Sequence, residues 1–196
     1  MYARVERGEI TPANGLVTLL RLQQITGGTV PLDGGHEEDV CDGKANALRD
    51  LLDDAGPQPV VVFCRFKSDL RKIQAAAASL GRAYAEISGD RKDGLTDRSE
   101  MAEGVEVLGV QIQSGGTGID LTRARLAVYY SKGFSLGDYH QSLARLHRPG
   151  QERHVHVVHL VASNTIDIVT ERAIASRAEV IEAVLYGKGV QEEIPA

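Results

Sequence analysis

Residues 57–64 read Pro-Gln-Pro-Val-Val-Val-Phe-Cys: a proline-marked entry, then the unbroken apolar run Val60-Val61-Val62-Phe63-Cys64. A half-exposed strand would alternate apolar and polar residues. An uninterrupted, β-branched run is the pattern of a strand buried on both faces, as in a parallel sheet covered by helices. Directly after it, Leu70, Ile73, Ala77 and Leu80 recur at helical spacing until Gly81, which predicts a helix over 67–80. Outward from this pair the same alternation repeats. Strands are predicted at 84–88, 105–112, 126–130 and 155–161, and helices at 137–147 and 165–185, the last with Ile166, Val169, Ala173, Val180 and Val184 inward. This βα alternation defines an α/β fold with a mainly parallel sheet. Upstream, 14–25 predicts a helix with Leu16, Leu19, Leu20 and Ile25 inward, and 44–54 a second helix. The glycine-rich, acidic stretch between them, 27–43, is expected to be a mobile loop. The organisation expected is a helical lead-in with an acidic loop (1–43), an α/β lobe (44–186) and a tail (187–196).

The chain has 196 residues, 42% of them hydrophobic and 25% charged, the balance of one folded globular unit. No stretch of about 18 apolar residues occurs, so a membrane-spanning helix is not expected. The start of the chain lacks the apolar core of a signal peptide, and a cytoplasmic protein is expected. Cys41 and Cys64 are the only cysteines, far apart and without a CxxC pattern, which excludes a disulfide framework and a cysteine-based zinc site. The net charge of −5 argues against a strong free-standing nucleic-acid binder. The charge is nevertheless uneven: eight acids face two bases over 33–54, against five bases and one acid over 60–82 and six bases and two acids over 121–153.

Two segments carry chemistry. Gly115-Gly116-Thr117-Gly118-Ile119-Asp120-Leu121 follows a predicted strand, where glycines let backbone N–H groups approach a phosphate or a neighbouring loop. It lacks the Lys-Ser/Thr pair of a Walker A loop, and neither GxxxxGK[ST] nor a strand ending in an acid pair occurs elsewhere. The second segment is QSLARLHRPGQ, 141–151. In helical geometry Gln141, Arg145 and Arg148 share a face, and two guanidinium groups one turn apart can clamp phosphate oxygens. His154, His156 and His159 do not share a strand face, so no metal site is expected.

The string at 141–151 resembles motif VI of the Swi/Snf-type branch of superfamily-two helicases, Q-A-x-x-R-x-H-R-x-G-Q, through Gln141, Arg145, His147, Arg148, Gly150 and Gln151. Gly115, Gly116, Gly118, Leu121, Thr122 and Ala124 are similar to motif V of that family, and VVVFCRFKSDL at 60–70 is similar to motif IV. Ile87-Ser88-Gly89, Arg98, Thr165-Ile166-Asp167 and the helix LLRLQQI at 19–25 extend the resemblance over nearly the whole chain. Departures are Gln111-Ile112 where the family has Ser-Thr, Phe134-Ser135-Leu136 for Trp-Asn-Pro, Ser131 for an acid, and Asp120 where Asn is commoner.

The resemblance implies a RecA-like, three-layer αβα C-terminal lobe of a DNA-dependent ATPase, most like compact bacterial or phage examples. It is either a segment of a longer motor or a natural half of a split one. Arg145 and Arg148 would be arginine fingers. Gly116, Gly118, Asp120 and Gln141 would line the ATP cleft and couple it to DNA. Arg65, Lys67, Ser88, Gly89, Gln111, Gln113 and Ser114 would meet the backbone of duplex DNA. ATP and magnesium would bind only when an N-terminal Walker-bearing lobe joins in cis or in trans, so the chain alone is expected to hydrolyse nothing. The competing expectation is a non-enzymatic DNA- or protein-binding module on an orphan lobe.

Overall fold

The apolar run at 60–64 is a central strand, and all five of its residues are buried. In chain order the elements of the computed structural model are β1 (Ala3–Val5), β2 (Gly8–Ile10), α1 (Gly15–Gly27), β3 (Thr29–Pro31), β4 (Glu37–Asp39), α2 (Gly43–Asp54), β5 (Val60–Cys64), α3 (Lys67–Ser79), β6 (Tyr84–Ile87), β7 (Val107–Gln111), β8 (Leu126–Tyr129), α4 (Leu136–Leu143), β9 (His156–His159) and α5 (Ile166–Tyr186). The structure describes residues 3–5, 8–10, 15–32, 35–114, 118–148 and 154–186. Among these no helix is long and apolar enough to cross a membrane.

Strands β5 to β9 form one parallel sheet in the order β6-β7-β5-β8-β9. Successive residues of β5 feed opposite faces, as the period of a strand requires. Val61 and Phe63 join Ile87, Leu108, Val110 and Tyr129 in one core layer, against which Leu143 of α4 packs. Val60, Val62 and Cys64 join Leu48 and Leu52 of α2 and Leu70, Ile73 and Ala77 of α3 in the other. This is the α/β, RecA-like arrangement the sequence predicts. The connection from β6 to β7 carries no helix. It is an extended excursion stitched by bridges Ile87–Lys92 and Leu95–Met101, and Met101 and Leu95 cover the core there.

Four expectations are corrected. The acidic stretch is not simply a loop: β3 and β4 pair antiparallel, with Val30 opposite Glu38, and Val30 and Leu32 form a small core with Ile25 and Val40. Lys72 of α3 holds this ribbon through Asp39 (3.1 Å) and Asp42 (2.7 Å), and Arg71 pairs with Glu37. On α1, Leu16 is 67% exposed and Leu19 37%, while Gln23 is 3% exposed. Of the four residues expected inward, Ile25 packs on the small core of Val30 and Leu32 and Leu20 is half-buried, while the most buried side chain of the helix is polar. On α5, Ile166 and Ala173 are half-buried as expected, but Val169 faces solvent and Thr170 and Ile174 face inward; the side chains of Val180 and Val184 lie outside the described ones. A further short ribbon, β1 with β2, precedes α1 where only a helical lead-in is expected.

What seats α1 and α5 is hydrogen bonding. The Gln23 amide donates to the Lys132 carbonyl (3.1 Å) and to Thr170 Oγ1 (3.2 Å). Lys44 pairs with Asp167 at 2.6 Å, and Lys132 with Glu171 at 2.7 Å. Next to them Asp69 accepts from the Phe66 N–H (3.1 Å) and from Ser131 Oγ, the reach-back half of a capping box at the start of α3. A Cβ at Gly27 would lie 2.5 Å from Asp69 Oδ1, so any larger residue where α1 ends would displace the buried Asp69 carboxyl.

Burial raises the Asp69 carboxyl to about 6, against the hydrogen bonds from Ser131 and Phe66 and the charge of Lys44. The folded state therefore binds this proton more tightly than the unfolded chain, and stability rises as pH falls from about 6 toward 4. A shift of this size corresponds to roughly 3 kcal/mol. The carboxyls of Asp39, Asp93, Asp120 and Glu171 are held below their ordinary values, and their contribution is lost only at lower pH. Urea midpoints are thus expected to rise from pH 7 to about pH 5, and Asp69→Asn to flatten that rise. An unchanged pH slope in the variant would show that Asp69 ionises freely.

Candidate functional site

The carboxyl ends of the parallel strands all open on one edge of the sheet. From β5 the chain leaves toward β6 and β7, and from β7 it returns past β5 to β8. Connections thus diverge on either side of β5, and the crevice outside such a point is where open α/β sheets bind ligands. The tips here are Arg65-Phe66-Lys67 after β5, Ser88-Gly89 after β6, Ile112-Gln113-Ser114 after β7 and Ser131-Lys132-Gly133-Phe134 after β8. An open cleft of about 600 Å³ lies among Arg65, Ile112, Gln113, Lys132 and Phe134, with Leu16 of α1 on its rim.

Most candidate backbone contacts converge on this edge, and most are already bonded within the chain. The Arg65 N–H donates to Ser131 Oγ at 2.8 Å, and its guanidinium donates to Gln23 Oε1 and lies 5.4 Å from the Phe66 ring centre. Burial lowers its pKa, and the charge of Asp138 opposes that. Gln111 donates from Nε2 to the Arg65 carbonyl (3.3 Å) and accepts from Ser114 Oγ (2.9 Å). Lys67 is exposed and pairs with Asp90 at 2.6 Å. Gly89 and Gln113 are exposed, and a Cβ on Gly89 would lie 3.7 Å from Ser114 Oγ. Ser88 is a correction. It is buried, and its Oγ accepts the N–H groups of Asp90 and Arg91 at 3.2 Å each. It shapes the turn and presents no surface donor.

The basic segment 60–82 is similarly spent. Besides Lys67, Arg71 and Lys72, Arg82 donates to the carbonyls of Leu52 (2.9 Å) and Gln58 (2.6 Å). The uneven charge of the sequence is largely cancelled by folding: the acidic ribbon lies on the basic helix.

The second set of candidates joins the segment after β7 to the segment after α4. The helix ends at Leu143, and residues 144–147 form a turn. Arg145 and Arg148 therefore do not project from one helix face as expected. Arg145 is 5% exposed; burial lowers its pKa against the influence of Tyr129, and its carbonyl accepts the Leu121 N–H at 3.0 Å. Arg148 stays partly open, its side chain 35% exposed. It donates from Nη2 to the Ile119 carbonyl at 2.8 Å and faces Asp120 Oδ2 at 3.8 Å. Asp120 Oδ1 accepts the N–H (2.8 Å) and hydroxyl (2.6 Å) of Thr122. Gly118 has φ +99°, a backbone that L side chains rarely adopt. Gln141 is exposed on α4. Gly116 lies outside the described residues, as do Gly115, Thr117, Gly150 and Gln151.

Both segments lie within the stretch that a family comparison matches. Residues 43–150 match the model described as the helicase conserved C-terminal domain. The chain belongs to that family. It is 30% identical over 129 residues to the ATP-dependent helicase fft1 of Schizosaccharomyces pombe, covering 63% of this chain and 14% of that one. It is 29% identical over 153 residues to the helicase swr-1 of Neurospora crassa, covering 75% and 8%. The chain thus spans a small part of either relative. Both are fungal and give no support to the expected bacterial or phage source. The solved C-terminal part of the Fun30 ATPase domain shares the fold, with a TM-score of 0.58 over 74% of this chain and 53% of that one at 19% identity. Family and fold together make the chain a second helicase lobe.

The network of Gln23, Asp69, Ser131 and Lys132 escapes sequence reasoning. Its available signals are an acid at the third position of a predicted helix and a serine where the resemblance to the family leads one to expect an acid.

The difference between the two arginines is measurable. Arg145→Ala removes a large buried side chain and is expected to cost about 2 kcal/mol or more, lowering the melting temperature by roughly 4–8 °C. Arg148→Ala should leave it within about 2 °C, as for a substitution on the surface. Equal losses would mean that both arginines are structural.

Proposed function

We propose that this lobe works as the second half of a Swi/Snf-type, ATP-dependent DNA translocase, with Arg148 as the arginine finger. The observation that carries the reading is the partly open Arg148 guanidinium, bonded through Nη2 to Ile119 and facing Asp120, on a segment matched by the helicase family. Guanidinium is permanently charged and can bond two phosphoryl oxygens at once. Facing the γ-phosphate, it would stabilise charge that develops in the transition state. The chain has no phosphate-cradling Lys-Ser/Thr loop of its own, so ATP and magnesium would be held chiefly by a separate Walker-bearing lobe. Arg145, buried beneath, would hold the motif in place without touching nucleotide.

Duplex DNA would lie along the carboxyl edge of the sheet, where Lys67, Gly89, Gln113 and Ser114 are the candidates for phosphate contact. Such contacts are independent of base sequence. The internal pairing of Arg71, Lys72 and Arg82 leaves few cations for it. Alone, the lobe is expected to bind duplex no tighter than the micromolar range at about 0.15 M salt, with affinity falling as salt rises. A fluorescence polarisation titration checks this; nanomolar binding that ignores salt would contradict it.

The decisive experiment joins this chain to a Walker-bearing lobe from one of its relatives, by fusion or in trans. DNA-stimulated phosphate release should appear in the joined protein and be absent from the chain alone. Arg148→Ala should cut turnover by at least about 10²-fold while DNA affinity stays within a few fold. Arg148→Lys should recover little, since ammonium lacks the planar fork. Turnover retained with DNA binding lost would instead make Arg148 a DNA contact. DNA or protein binding that never depends on ATP would favour a non-enzymatic module.

A further inference from the structure

Asp120 lies beside Arg148, and the structure shows what its charge faces. We infer that Asp120 is a positioning residue for Arg148: its carboxylate is the counter-ion that holds the guanidinium in one orientation. This rests on the reading of Arg148 as a finger and adds the device that aims it.

Asp120 is unusually well fixed for a residue in a loop. Its N–H donates to the Ser99 carbonyl at 2.9 Å, and its carbonyl accepts the Met101 N–H at 3.0 Å. Neighbouring Ile119 is buried in the core, and the Leu121 N–H is bonded to the Arg145 carbonyl. The carboxylate is fixed as well. Oδ1 accepts both Thr122 donors, which turns Oδ2 toward Arg148 Nη1 at 3.8 Å. That distance is a charge–charge contact and too long for a hydrogen bond. Among the described residues, the one close bond of Arg148 in this cluster runs from Nη2 to the Ile119 carbonyl at 2.8 Å. A single hydrogen bond is a pivot, and the charge of Asp120 supplies the second point that an orientation needs.

The same geometry says what asparagine would do. Thr122 claims the oxygen on its side, so an amide at 120 keeps its oxygen there and turns its NH2 toward the guanidinium. Donor then meets donor, and the pair is lost although the loop keeps its hydrogen bonds. Aspartate and asparagine are therefore not equivalent at this position. Arg148 is preset in this chain and would be free to reorient with asparagine. A preset donor need not be ordered at the moment of reaction, which favours turnover over ground-state affinity.

The test uses the chain as it is, with phenylglyoxal as an arginine-selective probe and peptide mass spectrometry to read each site. Asp120→Asn should raise the modification rate of Arg148 by roughly two- to fivefold, the range of a partly exposed ion pair. The rates at Arg91 and Arg123 should not change. In the unaltered chain, raising salt to about 1 M should increase the rate at Arg148 in the same direction. If Asp120→Asn also exposes the other arginines, the loop has opened, and the salt response of the unaltered chain decides alone. An Arg148 rate that moves with neither the substitution nor salt overturns the inference. In the joined motor, Asp120→Asn should lower kcat severalfold and leave KM for ATP within about twofold. Proportionate loss in both would mean that Asp120 touches nucleotide itself. The two readings fail separately. A silent Arg148→Ala removes the finger and leaves the labelling result standing. A damaging Arg148→Ala with unchanged labelling removes the positioning role alone.

Discussion

The carboxyl edge of the sheet depends on one buried hydrogen-bond chain, Asp69 to Ser131 to the Arg65 backbone, continued by the Arg65 side chain to Gln23. It joins the start of α3, the end of β8, the end of β5 and the middle of α1. The turn after β5 and the turn after β8 are therefore set relative to each other by polar bonds, above a core that is apolar on both faces. An ionised carboxyl in such a place is costly, and burial raises the Asp69 carboxyl to about 6. The arrangement persists because each partner would be left with an unmet group if another were removed, which costs more than the bonds contribute while intact. A serine at 131 suits this chain: an acid there would put two carboxyls side by side, where both could not ionise.

The sheet and its helices were legible because their information is local. Val60–Cys64 cannot be a surface strand, and Leu70, Ile73 and Ala77 cannot lie on a solvated helix face. The helix at α1 misled for a physical reason. Its leucines have helical spacing, but the surface it meets is a polar ridge made by Lys132 and Thr170, and Gln23 satisfies that ridge where a leucine could not. Exposing Leu16 is the smaller cost, since a single exposed apolar side chain is ordinary and an unmet buried carbonyl is not. The β3–β4 ribbon was missed because its strands are short and acidic. Its Val30 and Leu32 are buried against Ile25 and Val40, and Arg71 and Lys72 of α3 face its carboxylates; sequence periodicity carries no information about such long-range partners.

The candidate site was legible in type and less so in geometry. The spacing of Arg145 and Arg148 suggested a clamp on one helix face. The helix instead stops at Leu143, and the two residues take opposite environments. Segment charge was a similarly partial guide. Counting bases over 60–82 suggested a surface for polyanions, yet folding pairs Lys67, Arg71 and Lys72 with carboxylates and aims Arg82 at backbone carbonyls. Charge seen in sequence becomes charge available to a ligand only after such internal pairing has been subtracted.

The turn that replaces the expected helical clamp lets one segment do two jobs. Continued helix would place residues 145 and 148 on neighbouring positions of one face, both buried or both exposed. A turn after Leu143 sends Arg145 inward, where its carbonyl binds the Leu121 N–H and joins the two loops. Arg148 then emerges three residues later beside Ile119 and Asp120, on backbone that Arg145 has already fixed. Under the proposed role, a cation that meets a phosphate needs to be partly open, and an open side chain on a long stem is poorly ordered. Burying the first arginine to hold the second reconciles those demands, because the ordering is done in the core and the charge is left at the surface.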